Sequence, residues 1–209
     1  VVLAYEFIDY LGTPLNVPEG FTISVIPSAN PDGVFDVVGK EGKFTANEIL
    51  NLKNKPVGYG RLNAHSVDLN RNFDCNWKPS SMWRGTKVAA GSAPFSEPES
   101  AAIRDAVASD TPSAVIFWHS QSGSVYASEC NKGILPDTLS LMNTYAKEAG
   151  YTPVKKFDAY VITGDAEGWL SSIGIPAITV ELTTHETVEW KQNLAGIKAV
   201  LDYYKQKNQ

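Results

Sequence analysis

Two short apolar runs, residues 114–118 (Ala-Val-Ile-Phe-Trp) and residues 177–182 (Ala-Ile-Thr-Val-Glu-Leu), constrain this chain more than any other feature. Successive side chains of a strand point to opposite faces, so the continuous run at 114–118 reads as a strand buried on both sides, and residues 177–182 as a second buried strand. A sheet of such strands needs helices on each face. The fold class is therefore α/β.

Helices to cover the sheet are legible in the pattern. Val1, Ala4, Tyr5, Ile8 and Leu11 fall at helical spacing, and Gly12 supplies a stop. Ser96-x-x-Glu99 has the form of a capping box with Pro98 in the first turn; it opens a helix whose apolar face is Ala102, Ile103, Ala106 and Val107. Further helices are expected over residues 136–149 and 167–172. A last one carries Trp190, Leu194, Ile197, Leu201 and Tyr204 on one stripe. Residues 21–26, β-branched and ended by Pro27, and residues 160–162 read as additional strands. Asn30-Pro31-Asp32-Gly33 is turn chemistry. Residues 34–92, dense in Gly, Asn, Lys and Trp, read as long loops around one short helix, and such loops tend to carry function. With no repeat and no linker, residues 1–209 read as a single α/β domain, a mixed sheet flanked by helices.

Charge and composition exclude several functions. The chain has 18 Lys and Arg against 23 Asp and Glu, a net charge of -5, so it lacks the basic face of a nucleic-acid binder. No apolar run approaches the roughly 20 residues of a membrane span. Its 2 cysteines, Cys75 and Cys130, are too few for a disulfide scaffold and form no Cys-x-x-Cys pair.

The chemistry gathers at strand ends. His119 directly follows the first apolar run, and Glu181 interrupts the second. Ligands of open α/β sheets collect at the carboxyl ends of strands, so the pair suggests a metal ligand and a general base. A hydrogen-bonded His and a structural carboxylate would look the same. A second cluster is the run from Asp68 to Phe73, with Asn70 and Arg71, preceded by Arg61. Arginine presents a planar fork that clamps a carboxylate, although such a loop can equally be structural. His65-x-x-Asp68 has a metal-like spacing within a loop. His185-Glu186 lacks the second His of a zinc-protease helix and reads as exposed. Ser120 and Ser122 lack a nucleophile elbow.

Taken together, Asn30-Pro31-Asp32-Gly33, the Asp68–Phe73 run, Ser96-Glu97-Pro98-Glu99, Trp118-His119-Ser120 and Thr179-Val180-Glu181-Leu182 resemble, in order, the motifs of the zinc carboxypeptidase family. The resemblance implies a role for each residue. His119 matches a zinc ligand, and Glu181 the general base. Asn70 and Arg71 match the pair gripping the substrate's terminal carboxylate, and Arg61 the arginine that stabilises the oxyanion. Tyr160 matches the tyrosine that closes over the substrate. Asp68 matches a carboxylate that orients a zinc-bound imidazole. Glu167, with Asp165 beside it, falls where the family holds its specificity residue, which implies preference for a basic terminal side chain over an apolar one. The family fold also implies that Cys75 and Cys130 lie together near the pocket, as a disulfide, and hence an extracellular or periplasmic location.

One departure is plain: no His-x-x-Glu occurs in these 209 residues, and the family draws its first two zinc ligands from that motif. The expectation is an N-terminally incomplete catalytic domain that binds one zinc ion through His119 and two further ligands upstream of Val1. The implied enzyme is a monomeric zinc metallocarboxypeptidase acting on peptides with a free C-terminal carboxylate. Two alternatives stand beside it: a bacterial cell-wall (murein) peptide amidase or carboxypeptidase of the same fold, and a metal-free carboxylate-binding module.

Overall fold

The computed structural model describes residues 1–13, 16–49 and 54–207. Its regular elements are α1 (Val2–Leu11), α2 (Pro31–Val38), β1 (Ser80–Trp83), β2 (Thr86–Ala89), α3 (Pro98–Asp110), β3 (Val115–Ser120), β4 (Ser124–Ala127), α4 (Pro136–Ala149), β5 (Thr152–Val154), α5 (Ala166–Ser172), β6 (Ala177–Leu182) and α6 (Trp190–Lys207). The main sheet has the order β3-β6-β4-β5. β6 runs parallel to β3 and antiparallel to β4, and β4 is parallel to β5, so the sheet is mixed as expected. β1 and β2 form a separate hairpin.

The apolar runs fill both faces of this sheet. On one face α4 and α6 bury Leu141, Met142, Tyr145, Ile197 and Val200 against Val125, Ile178 and Val180. Gly196 allows the two helices this close approach, since a Cβ there would lie 2.8 Å from the Tyr145 ring. On the other face Trp169, Leu170 and Phe73 form a second core, with Ile103 and Val107 of α3 packed against it. The two apolar runs differ in depth. Ala177, Ile178 and Val180 of β6 are fully buried, whereas β3, an edge strand among the described residues, is half-buried along its length.

Several elements depart from the sequence reading. Residues 21–26 and 160–162 are not strands; no described strand lies beside either to accept its backbone bonds. The buried side of α1 is Leu3, Ala4 and Phe7, not the Val1–Ile8 side, because Phe7 docks edge-on against Trp118 with ring centroids 5.8 Å apart. Ser96 does not cap α3: Glu97 occupies the N-cap without a capping bond from its side chain, and the Ser96 hydroxyl instead accepts from Asn72 Nδ2 at 3.0 Å. Asn30-Pro31-Asp32-Gly33 turns the chain by starting α2, with Asn30 Oδ1 accepting from Gly33 N at 3.0 Å and Pro31 in the first turn.

Candidate active site

The N-cap that starts α2 also fixes the first site residue. Asn30 Nδ2 donates to the carbonyls of Arg61 (3.0 Å) and Leu62 (3.1 Å). Gly33 permits this approach, since a Cβ there would sit 2.0 Å from the Gly60 carbonyl. Arg61 is thereby held against Asp68, whose Oδ2 accepts from Nε at 2.8 Å and pairs with Nη2 at 2.7 Å. Trp83 of the hairpin stacks on the guanidinium at 4.4 Å. Burial lowers the Arg61 pKa, and the Asp68 carboxylate opposes that shift. Among the described residues Asp68 is the partner of Arg61 and touches no imidazole. His65 likewise forms no metal pair with Asp68, because its Nδ1 bonds Glu97 at 2.7 Å.

The next residues form a short 3₁₀ turn, Leu69–Arg71. Asn70 lies on the wall of the main cavity, and its Oδ1 accepts from Ala166 N at 3.0 Å, tying this turn to the start of α5. Arg71 lies behind it and is 2% exposed. Its guanidinium donates to the Asn70 carbonyl and, at 3.4 Å, to that of Met82, while Nε has no partner among the described residues. Gly164 lets α5's leading loop meet this turn, because a Cβ would lie 2.2 Å from the Arg71 carbonyl and its φ is +72°. Asn72, fully buried, holds the turn to α3 by accepting from Glu97 N (3.1 Å) and Ser100 Oγ (2.6 Å).

β3 and β6 deliver the remaining groups. Their parallel register sets His119 opposite Glu181. Glu167 on α5 is buried; its Oε1 accepts from Thr179 Oγ1 at 3.0 Å and lies 3.6 Å from His119 Nε2. Asp165 caps α5 by accepting from Gly168 N at 2.7 Å. Burial and the neighbouring Glu167 push the Asp165 carboxyl up to about 6, against the hydrogen bond from Gly168 N and the weaker pull of Arg71. Glu181 is also raised, first by burial, with Glu167 adding to the shift and His119 and His185 opposing it. Among the described residues its Oε2 is buried without a partner. Tyr160 stands apart in an irregular segment, edge-on to Phe157 at 4.9 Å, though it is near enough to raise the Arg61 pKa.

A cavity of about 590 Å³ is lined by Arg61, Asp68, Asn70, Trp83, His119 and His185 among others, whereas Arg71, Tyr160, Asp165, Glu167 and Glu181 lie outside its lining. His185, read from sequence as exposed, does lie in a loop, but its Nδ1 reaches Ser120 Oγ at 2.6 Å on the cavity wall. Only its place four residues after Glu181 could have pointed to it. Trp83 carried no sequence signal, since its role depends on a hairpin meeting Arg61 from a distant part of the chain. The Cys75–Cys130 disulfide forms, with Cα atoms 6.1 Å apart. Cys75 packs against Gly168, bracing the Asn70–Arg71 turn on α5.

A profile of the family described as zinc carboxypeptidase matches residues 15–203. The chain belongs to the zinc carboxypeptidase family. It is 28% identical over 174 residues to gamma-D-glutamyl-L-diamino acid endopeptidase 1 of Lysinibacillus sphaericus, covering 77% of this chain and 42% of that protein. It is 25% identical over 159 residues to the uncharacterized protein YqgT of Bacillus subtilis, covering 71% of this chain and again 42% of the relative. The chain thus spans about two fifths of these curated relatives. Among solved structures it shares a fold with carboxypeptidase A from Helicoverpa armigera, with a TM-score of 0.63 and 20% identity over 96% of this chain and 57% of that one. Murein-tripeptide amidase MpaA from Escherichia coli O157 follows, with a TM-score of 0.56 and 20% identity over 83% of this chain and 64% of that one.

The family depends on zinc, and a catalytic zinc takes about three protein ligands. Among the described residues no three His, Cys, Asp or Glu side chains converge as a metal site. His119 is an accessible single donor, its side chain 37% exposed at the cavity wall. These residues alone do not make the family's zinc site.

Proposed function

We propose that this chain is the catalytic part of a peptide hydrolase of the zinc carboxypeptidase family, with Glu181 as general base. The observation that carries this reading is the buried Oε2 of Glu181 beside His119, unpaired among the described residues. An orphaned buried carboxylate oxygen is costly in a purely structural residue, and burial makes this carboxylate more basic. Zinc, when bound, polarises the scissile carbonyl and acidifies a water; His119 would serve it as one ligand, with two more supplied from upstream of Val1. Glu181 takes a proton from the attacking water and hands it to the leaving amine. Asp68 and Trp83 orient Arg61, leaving Nη1 for the oxyanion. Asn70 and Arg71 receive the substrate's terminal carboxylate, and Tyr160 closes over it. Glu167 and Asp165 favour a basic terminal residue.

A second reading concerns the substrate. Buried carboxylates next to a buried arginine suit a residue bearing both an amine and a carboxylate, and the Lysinibacillus relative is named for a diamino-acid bond. A cell-wall peptide with a diamino acid beside the cleaved bond fits this. The disulfide supports an extracellular or periplasmic location.

The test is Glu181→Gln in the natural full-length protein. Turnover should fall by roughly 100- to 10,000-fold with zinc content unchanged. Retained turnover would remove Glu181 as base, and a full-length protein that holds no zinc would favour a metal-free carboxylate-binding module.

A further inference from the structure

Behind the site, four hydrogen bonds join the ends of β3 and β6. Trp118 Nε1 donates to Tyr145 Oη (3.1 Å), which donates to Asn193 Oδ1 (2.7 Å). Asn193 Nδ2 donates to Tyr151 Oη (3.1 Å), which donates to Glu189 Oε2. An indole nitrogen can only donate and a carboxylate can only accept, so the whole chain has one polarity. Burial holds both phenols well above their usual pKa, and each keeps the proton it donates.

The chain begins one residue before His119 and ends on the carboxylate that closes the loop after Glu181. Glu189 Oε1 accepts from Thr183 N (2.9 Å) and Thr184 N (3.3 Å), and Oε2 accepts from Thr183 Oγ1 (3.2 Å). Glu189 adopts φ +50° to do so. Residues 183–188 are thereby gathered into the turn that sets His185 against Ser120. No step of the hydrolysis described above uses Glu189, Tyr151, Asn193 or Tyr145.

We propose that Glu189 is a positioning residue for Glu181. It holds the end of β6 and the loop beyond it in the pose that keeps Glu181 opposite His119, and through Tyr151, Asn193 and Tyr145 it registers that end against the strand carrying His119. The proposal rests on the reading of Glu181 as base, but it has a readout of its own. Glu189→Gln keeps one acceptor oxygen for the backbone of Thr183 and Thr184, yet presents an NH₂ where Tyr151 needs an acceptor. The one-way chain then breaks.

In the full-length protein, Glu189→Gln should lower kcat tenfold or more while KM stays within threefold. The Trp118 indole N–H resonance should shift, although four hydrogen bonds separate it from the substitution. Tyr151→Phe, which leaves the loop's own bonds in place, should move both quantities in the same direction. A kcat within twofold of the parent, even with a lower Tm, would reduce Glu189 to a structural role and overturn the proposal. An unmoved indole signal would overturn the coupling to β3. If Glu181→Gln remained active, the base would be misassigned, and the indole shift would still report whether the chain transmits.

Discussion

Glu167 Oε1 lies 3.6 Å from His119 Nε2, on a side chain only 8% exposed. A short helix could have turned this carboxylate to solvent; instead Thr179 and the β6 wall hold it inward. An apolar terminal side chain lodged there would desolvate this carboxylate further without compensating it, whereas a cationic one would compensate it. Glu167→Leu should therefore lower kcat/KM for a peptide ending in Lys by tenfold or more, and raise it for the same peptide ending in Phe. Side-by-side hydrolysis of the two peptides checks this. An unchanged ratio would take Glu167 out of specificity.

Arg71 is buried with an Nε unpartnered among the described residues, so a planar carboxylate arriving beside Asn70 would meet an unsatisfied donor. Arg71→Lys retains the charge but not the fork. It should raise KM for substrates with a free terminal carboxylate by about tenfold, with little effect on amidated peptides. Equal losses on both substrates would mean that Arg71 only braces the loop through the Asn70 and Met82 carbonyls.

What was legible in the sequence follows the range of the interaction that decides it. His119 and Glu181 could be found because each ends or interrupts an apolar run, and parallel pairing of those runs sets them side by side. α4 begins and ends where its pattern does, at Pro136 and Ala149. Residues 21–26 have strand-like composition, but a strand exists only with a partner, and none lies beside them among the described residues. Ser96 has the form of a cap, yet Asn72 from a distant turn takes its hydroxyl. The Arg61–Asp68 pair is only seven residues apart in sequence, but it depends on Asn30 fixing the backbone of Arg61. Local pattern carries elements and strand ends; partners across the fold decide which polar groups meet.

The Cys75–Cys130 bond closes a loop with a sequence separation of 55 and braces the Asn70–Arg71 turn against α5. Replacing both cysteines by alanine should cost about 2–4 kcal/mol of stability. The site should respond as well: KM for free-carboxylate substrates should rise more than kcat falls. Thermal melts and kinetics on the double variant measure the two effects. A lowered Tm with unchanged KM would confine the bridge to a stabilising role.

Asp165 gives the clearest pH signature. Its pKa is raised from the ordinary 3.8 to about 6, by burial first and then by Glu167. The native state therefore binds the proton more tightly than the unfolded chain does. Stability tied to this group is fully present below about pH 4 and is lost as pH rises through about 6. Asp165→Asn removes the titration but keeps an oxygen to cap Gly168 N. The Tm difference, variant minus parent, should grow more positive between pH 4 and pH 7 and then level off. Melts at unit pH intervals on the full-length protein give this difference directly. A difference independent of pH would show that Asp165 ionises in the native state as an ordinary carboxylate does, and one that shrinks as pH rises would show that the Gly168 N–H bond and Arg71 outweigh burial and Glu167 together.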